Sequence, residues 1–191
     1  MSFRILVGLL AIALGAQVGA AQLVNVPLQW KPTSELDLGT VQMTQTPIQF
    51  GTFADTRDNK QAIGENQEDD KPRPVTTQDN VGAFVGSHVR ALFQRAGLKV
   101  VDSDGGVIVK GEVTRFFARE TSTYQSEVAV RITIVTRDGK TLWNGLASGD
   151  ATRFGRSYKI ENYYEVLSDA VVNTVSSMLQ STQFQAALSG Q

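Results

Sequence analysis

The chain has 191 residues, 18 lysines and arginines against 19 aspartates and glutamates, one histidine and no cysteine. A formal charge of −1 supplies no global field toward nucleic acid or an anionic membrane surface. The missing cysteines exclude a disulfide framework, a thiolate nucleophile and a cysteine-bound metal, and a single histidine excludes the zinc sites built on several.

Met1-Ser2-Phe3-Arg4 leads into an apolar run from Ile5 to Ala16, followed by the small residues Gly19, Ala20 and Ala21. This is the pattern of a secretory signal peptide over residues 1–21, with cleavage expected after Ala20 or Ala21. The apolar run is about a dozen residues, short of the roughly 20 that a spanning helix needs. No cysteine follows it, so the thiol that carries a lipid anchor is missing. The expectation is an exported, periplasmic protein without stable membrane insertion, reaching the outer membrane only through a partner. Residues 22–191 are the size of one ordinary domain, and losing Arg4 with the leader takes the formal charge from −1 to −2.

Residues 22–47 carry Pro27, Pro32 and Pro47 and are the least regular part, with short strands expected at 24–30 and 40–45. Ile48 to Phe53 alternates apolar and polar residues and reads as a strand. Residues 54–79 turn polar, with "ENQEDDKPRP" inside them, and read as a long exposed loop. Asp79 is the expected cap of a helix whose apolar stripe holds Val81, Phe84, Val85, His88, Val89 and Leu92, ended by Gly97. A short strand at 98–101 and a turn at Asp104-Gly105-Gly106 precede β-branched runs at 107–119 and 128–137. The second run puts Val128, Val130, Ile132 and Ile134 on one face, and Asp138-Gly139 marks a hairpin into a last strand at 141–152. Ile160, Tyr163, Tyr164, Leu167 and Val171 then follow helical spacing, with Asn162 and Glu165 spaced as a capping box. The expected fold class is α+β, one mainly antiparallel sheet with two helices packed on one face.

Three groups of residues bear on function. His88 sits on an apolar stripe and reads as a core histidine before a general base. Glu65, Glu68, Asp69 and Asp70 read as a solvated linker; calcium or glycosidase chemistry would need a spacing and rigid support that the stretch does not show. Asp55 and Arg57 follow a strand, where Arg57 either ties the long loop to the sheet end or faces an anionic partner. The best candidate is the strand-to-helix junction, where Arg153, Phe154, Arg156 and Tyr158 surround Gly155. Arginine and tyrosine are enriched in binding hot spots, and loops on rigid scaffolds commonly carry function. The alternative is that these side chains pack their stems over the sheet edge.

Phe53-Ala54-Asp55-Thr56-Arg57 with Ile63-Gly64, followed by Val113-Thr114-Arg115-Phe116-Phe117, Thr123-Tyr124, Gly139-Lys140-Thr141-Leu142-Trp143 and Gly155-Arg156-Ser157-Tyr158, resembles the ordered motifs of the YajG-type bacterial envelope lipoproteins. The resemblance covers roughly residues 24–182 and implies an envelope location and an α+β fold, with no assigned activity. The lipid-bearing cysteine of that family is absent, so membrane tethering does not carry over. The layout also resembles the amino-terminal domain of TolB, a likeness of fold alone. Together these readings predict a non-enzymatic periplasmic binding or assembly module. It needs no cofactor or metal, has no nucleic-acid partner, and recognises an envelope protein or polymer through Arg153, Phe154, Arg156 and Tyr158, with Arg57 as a further candidate. A carboxylate-dependent hydrolase or lyase on envelope glycans and a self-associating structural subunit are the rival readings.

Overall fold

The computed structural model describes residues 22–39 and 44–190. The expected signal peptide and residues 40–43 of one expected strand lie outside them. Seven strands and three helices follow in the order β1 (Ile48–Asp55), β2 (Ala62–Asn66), β3 (Arg73–Thr76), α1 (Val81–Arg95), β4 (Val100–Val101), β5 (Val107–Glu120), β6 (Thr123–Thr136), β7 (Thr141–Phe154), α2 (Ile160–Gln180) and α3 (Thr182–Leu188). β5 is the spine of the sheet. Along one side it pairs with β6, which pairs with β7, both antiparallel. Along the other side two strands share it, β1 against its first half and β2 against its end, both parallel.

The sheet is therefore mixed, which corrects the expectation of a mainly antiparallel one. β1 and β5 are joined through α1, and a strand that returns through a helix comes back parallel. Alternation along a strand reports which face is buried and says nothing about the direction of its neighbour. A second correction concerns residues 54–79, which contain β2 and β3, an antiparallel pair at the sheet's edge. Both are short and polar, and they form because β2 docks on the end of β5. Gly64 makes that docking possible: a Cβ there would stand 2.6 Å from the Ala118 carbonyl and 2.9 Å from the Tyr163 ring.

Both long helices cover one face. α1 lies over β1 and β5, where Phe84 meets Phe116 edge-on, and α2 lies over β7 and β6, where the Ser126 hydroxyl donates to the Val166 carbonyl at 2.7 Å. Phe116, Ala118, Ser126 and Val128 share that face by register. α2 is seated closest at Gly149, where any Cβ would collide with the Thr174 backbone. α3, absent from the sequence reading, folds Phe184 against Phe93 and Trp143. The expected helix caps shift as well. Asn80, not Asp79, caps α1 by accepting from the Ala83 amide at 2.9 Å, and Asp79 accepts instead from Leu28 N at 2.7 Å. α2 begins at Lys159 without a side-chain cap, so the Asn162–Glu165 capping box does not form.

Residues 24–30 form no strand. The segment 22–39 runs as a strap that first bonds to the end of β3, where Val26 N donates to the Thr76 carbonyl at 2.9 Å, and then follows the outer side of α2, whose side chains accept from the backbone amides of Lys31, Thr33, Ser34 and Asp37. Ser168 accepts from Lys31 N at 3.0 Å, and Ser176 from Asp37 N at 3.1 Å. Asp169 accepts from Thr33 N at 2.6 Å and Ser34 N at 2.7 Å. The strap leaves α2 buried on nearly every side.

His88 lies under the strap, stacked on Trp30 at 4.0 Å between ring centres and edge-on to Phe84. Burial lowers its pKa below the ordinary 6.5. An unfolded chain then binds more protons than the folded one between 6.5 and the lowered value, so the histidine's contribution is complete above 6.5 and declines as the pH falls below it. His88→Phe keeps the ring stack and removes the proton site. Urea titrations at about pH 7.5 and about pH 5 are expected to show a larger loss of stability on acidification in the parent chain than in the variant.

Candidate functional site

The Phe-x-Asp-x-Arg segment closes a gap in the sheet. On the side away from β6, β5 is paired with β1 as far as Val113 and with β2 from Ala118, so among the described residues the stretch between has no strand on that side. Arg57 fills the place. Its Nε and Nη2 donate to the two Asp55 carboxylate oxygens at 2.9 and 2.8 Å. Nη2 also donates to the Lys60 carbonyl at 2.6 Å, and Nη1 to the carbonyls of Ala62 at 2.6 Å and Phe116 at 3.2 Å. A planar five-donor group is suited to such a junction, because it holds β1, the β1–β2 loop and β5 with one side chain. Burial pushes the Asp55 carboxyl upward, but the bonds and charge of Arg57 outweigh it and hold the group below its ordinary 3.8. Arg57 is 8% exposed and stands apart from the other four candidates.

Those four meet at the end of β7, where the structure divides them. Arg153 occupies the helix-facing side of the strand and pairs with Glu165 of α2. Tyr158 is tied down at both ends. Its hydroxyl donates to the Pro74 carbonyl at 2.9 Å and accepts from Leu23 N at 3.3 Å, while the Arg73 guanidinium lies 4.3 Å over its ring. Phe154 and Arg156 point outward. Phe154 is 88% exposed, and the Arg156 side chain is 65% exposed, with a loose contact to Glu68 at 3.6 Å.

The residue that shapes this corner is Glu120, fully buried at the end of β5. Its Oε1 accepts from the consecutive amides of Ser157 at 2.9 Å and Tyr158 at 2.8 Å, and its Oε2 from the Tyr163 hydroxyl at 2.9 Å. Two successive N–H groups converging on one oxygen make an anion nest, here occupied by the chain's own carboxylate. Tyr158 adopts φ +45°, a left-handed conformation costly for a bulky residue, and the nest holds it there. Burial pushes Glu120 upward, but donors from Asn66, the Tyr158 amide, Tyr124 and the Ser157 amide prevail and keep it below its ordinary 4.5. The Tyr163 phenol is driven far above its ordinary 10.0, first by burial and then by Glu120. Asn66, also fully buried, accepts from Arg73 at 3.1 Å and links the β2–β3 edge to the same centre.

Among the described residues, no element covers the sheet face opposite the helices. A shallow groove crosses it between Arg115, Phe117, Arg119, Glu127, Ser148 and Asp150. Phe154 lies on this face at its end, since even-numbered residues of β7 from Asn144 onward alternate with the helix-facing Ala147, Gly149 and Ala151. No helix among the described residues is long and apolar enough to cross a membrane.

No protein-family model and no curated protein matches the sequence. The fold does have solved counterparts. A Xanthomonas campestris protein described as DUF330 superposes with a TM-score of 0.53 at 9% identity, covering 84% of this chain and 94% of the other. A candidate lipoprotein from Caulobacter crescentus gives 0.48 at 12% identity, covering 68% of this chain and 92% of the other. A PelC dodecamer from Paraburkholderia phytofirmans gives 0.44 at 14%, covering 73% and 91%. At such identities the first likeness speaks to the fold alone, and the other two are too distant to add to it. The architecture expected from the YajG-type resemblance is compatible with this, and the resemblance itself gains no family match.

Proposed function

We propose that this chain is a non-enzymatic module of the bacterial envelope that binds a protein or polymer component through the corner at the end of β7. One observation carries the reading: Phe154 is 88% exposed beside the exposed Arg156, on a loop that a buried carboxylate holds rigid. An ordered loop loses little entropy on binding, so an aromatic ring and a guanidinium presented on it convert contact into affinity. The other charged groups with special environments have structural uses. Glu120 and Asp169 accept from backbone amides, and His88 is stacked on Trp30 and edge-on to Phe84. The location follows from the signal-peptide pattern of residues 1–21.

The rival reading as a hydrolase has one geometric foothold. Glu127 and Asp150 are directly opposite each other on β6 and β7. They stand on an open face rather than in a cleft, and Glu127 is paired with Arg115 at 3.3 Å, which favours contact over bond chemistry.

The test is affinity capture from periplasmic and outer-membrane extract with the mature chain and with the Phe154→Ala/Arg156→Ala variant, each checked by a thermal melt. The variant is expected to melt like the parent, because exposed truncations rarely move stability by more than about 0.5 kcal/mol. It should lose the captured species by about 2 kcal/mol of binding or more. Equal capture by both would reject this corner as the site.

A further inference from the structure

Among the described residues β7 is the last strand of the sheet, paired with β6 on one side and with no strand on the other. Its free edge is blunted at both ends. Near the start, the register shift opposite Ile134 and Val135 inserts Leu142 as an extra residue, and Leu142 packs back on the core; such a bulge bends an edge out of line. Near the far end, Asn173 of α2 reaches across and donates to the Asp150 carbonyl at 2.7 Å. Between these two devices lie residues 143–149, Trp-Asn-Gly-Leu-Ala-Ser-Gly, with no charge and no proline. Exposed edges are normally guarded by lysine, proline or an inward charge, and this segment has none. Its midpoint is Leu146, 57% exposed on the open face of the sheet.

We propose that this edge pairs with the same edge of a second copy, antiparallel, about a two-fold axis at Leu146. The segment is self-complementary in that register. Leu146 faces Leu146 of the second copy, so an exposed apolar side chain is covered by its equivalent. On either side Asn144 faces Ser148, an amide opposite a hydroxyl, and on the helix side Gly145, which lies under the Trp143 ring, faces the small Ala147. Asp150 falls opposite the bulge at Leu142, so the carbonyl already capped by Asn173 needs no further partner. No charge meets a like charge within the paired span, which is the usual obstacle to strands pairing with themselves. A strand from another protein could complete the same backbone bonds, but a second copy alone matches Leu146 with itself while fitting a bulge against a cap at both ends. Phe154 and Arg156 lie beyond the paired span, so the dimer carries both binding corners free, and the inference does not depend on what those corners bind.

Sedimentation velocity on the mature chain over a concentration series tests this directly. The parent is expected to sediment as a dimer that dissociates on dilution. Leu146→Lys, which changes a solvent-facing side chain and sets two ammonium groups together at the axis, is expected to sediment as a monomer with its melting temperature retained. Ser148→Pro, which takes a donor from the edge, should do the same; if it does not fold, Leu146→Lys decides alone. Phe154→Ala should remain dimeric. A parent chain that is monomeric at every concentration, or an oligomer of any size that Leu146→Lys leaves intact, overturns the proposal.

Discussion

Alanine at Glu120 is expected to lower the stability of the mature chain by about 3–5 kcal/mol, because several neutral donors lose their one acceptor at the same time. The loss has a specific origin. The Ser157 and Tyr158 amides and the Tyr163 hydroxyl all donate to this carboxylate in a fully buried site, and each donor left without an acceptor costs about 1–3 kcal/mol. Part of that is recovered where the loop opens to water, because Ser157 lies at the surface. In a domain of this size the melting temperature should fall by roughly 10 °C. Glu120→Gln keeps an acceptor oxygen and should lose markedly less. The two variants also differ from the parent in acid. Because the folded carboxyl is held below its ordinary 4.5, its contribution is complete above that value and lost as the pH falls through the depressed one. Glu120→Gln should therefore show a shallower decline below about pH 4.5 in a chemical denaturation series, whereas parallel declines would assign the acid sensitivity elsewhere.

Arg57→Ala is expected to cost about 3–5 kcal/mol, since it leaves the Asp55 carboxylate, 11% exposed, without its cation. It also strips the carbonyls of Lys60, Ala62 and Phe116 of a donor at the point where β1 gives way to β2. Arg57→Lys should recover little, because an ammonium group cannot reach a carboxylate and three carbonyls in one plane. Asp55 adds to the acid sensitivity with the same sign as Glu120: its share is present above 3.8 and lost as the pH falls toward its lowered pKa. Equilibrium unfolding by urea measures both variants, and a loss under about 1 kcal/mol for Arg57→Ala would mean that the pair behaves as an exposed one.

Periodicity carried much of the fold. The alternation in 128–137, the Asp138-Gly139 turn and the helical stripes beginning at Val81 and Ile160 each correspond to an observed element. The misses have physical causes. β2 and β3 are held by backbone pairing to β5, and their side chains, from Ala-Ile-Gly-Glu-Asn to Arg-Pro-Val-Thr, show too little apolar alternation to announce a strand. Glu120 was hidden by a bulge. Counting in twos from Val107 puts it on the wet face with Lys110 and Glu112, but the register shift between Val113 and Arg115 exchanges the faces, and Phe116, Ala118 and Glu120 turn inward. A one-residue irregularity of that kind leaves no mark in composition. The cluster of Arg153, Phe154, Arg156 and Tyr158 was legible as a group, yet its division into bound and free members depends on contacts with Glu165, Pro74 and Glu120, which are distant in sequence or reached only through the fold.

A buried carboxylate builds the corner and leaves Phe154 and Arg156 facing outward from it. Amide hydrogen exchange at Ser157 and Tyr158 tests it most directly. Both amides are expected to be protected in the parent chain and in Phe154→Ala/Arg156→Ala, and to exchange freely in Glu120→Ala under conditions where the β5–β6 ladder is still protected. Free exchange of both amides in the parent, or protection that survives the loss of Glu120, would contradict the account.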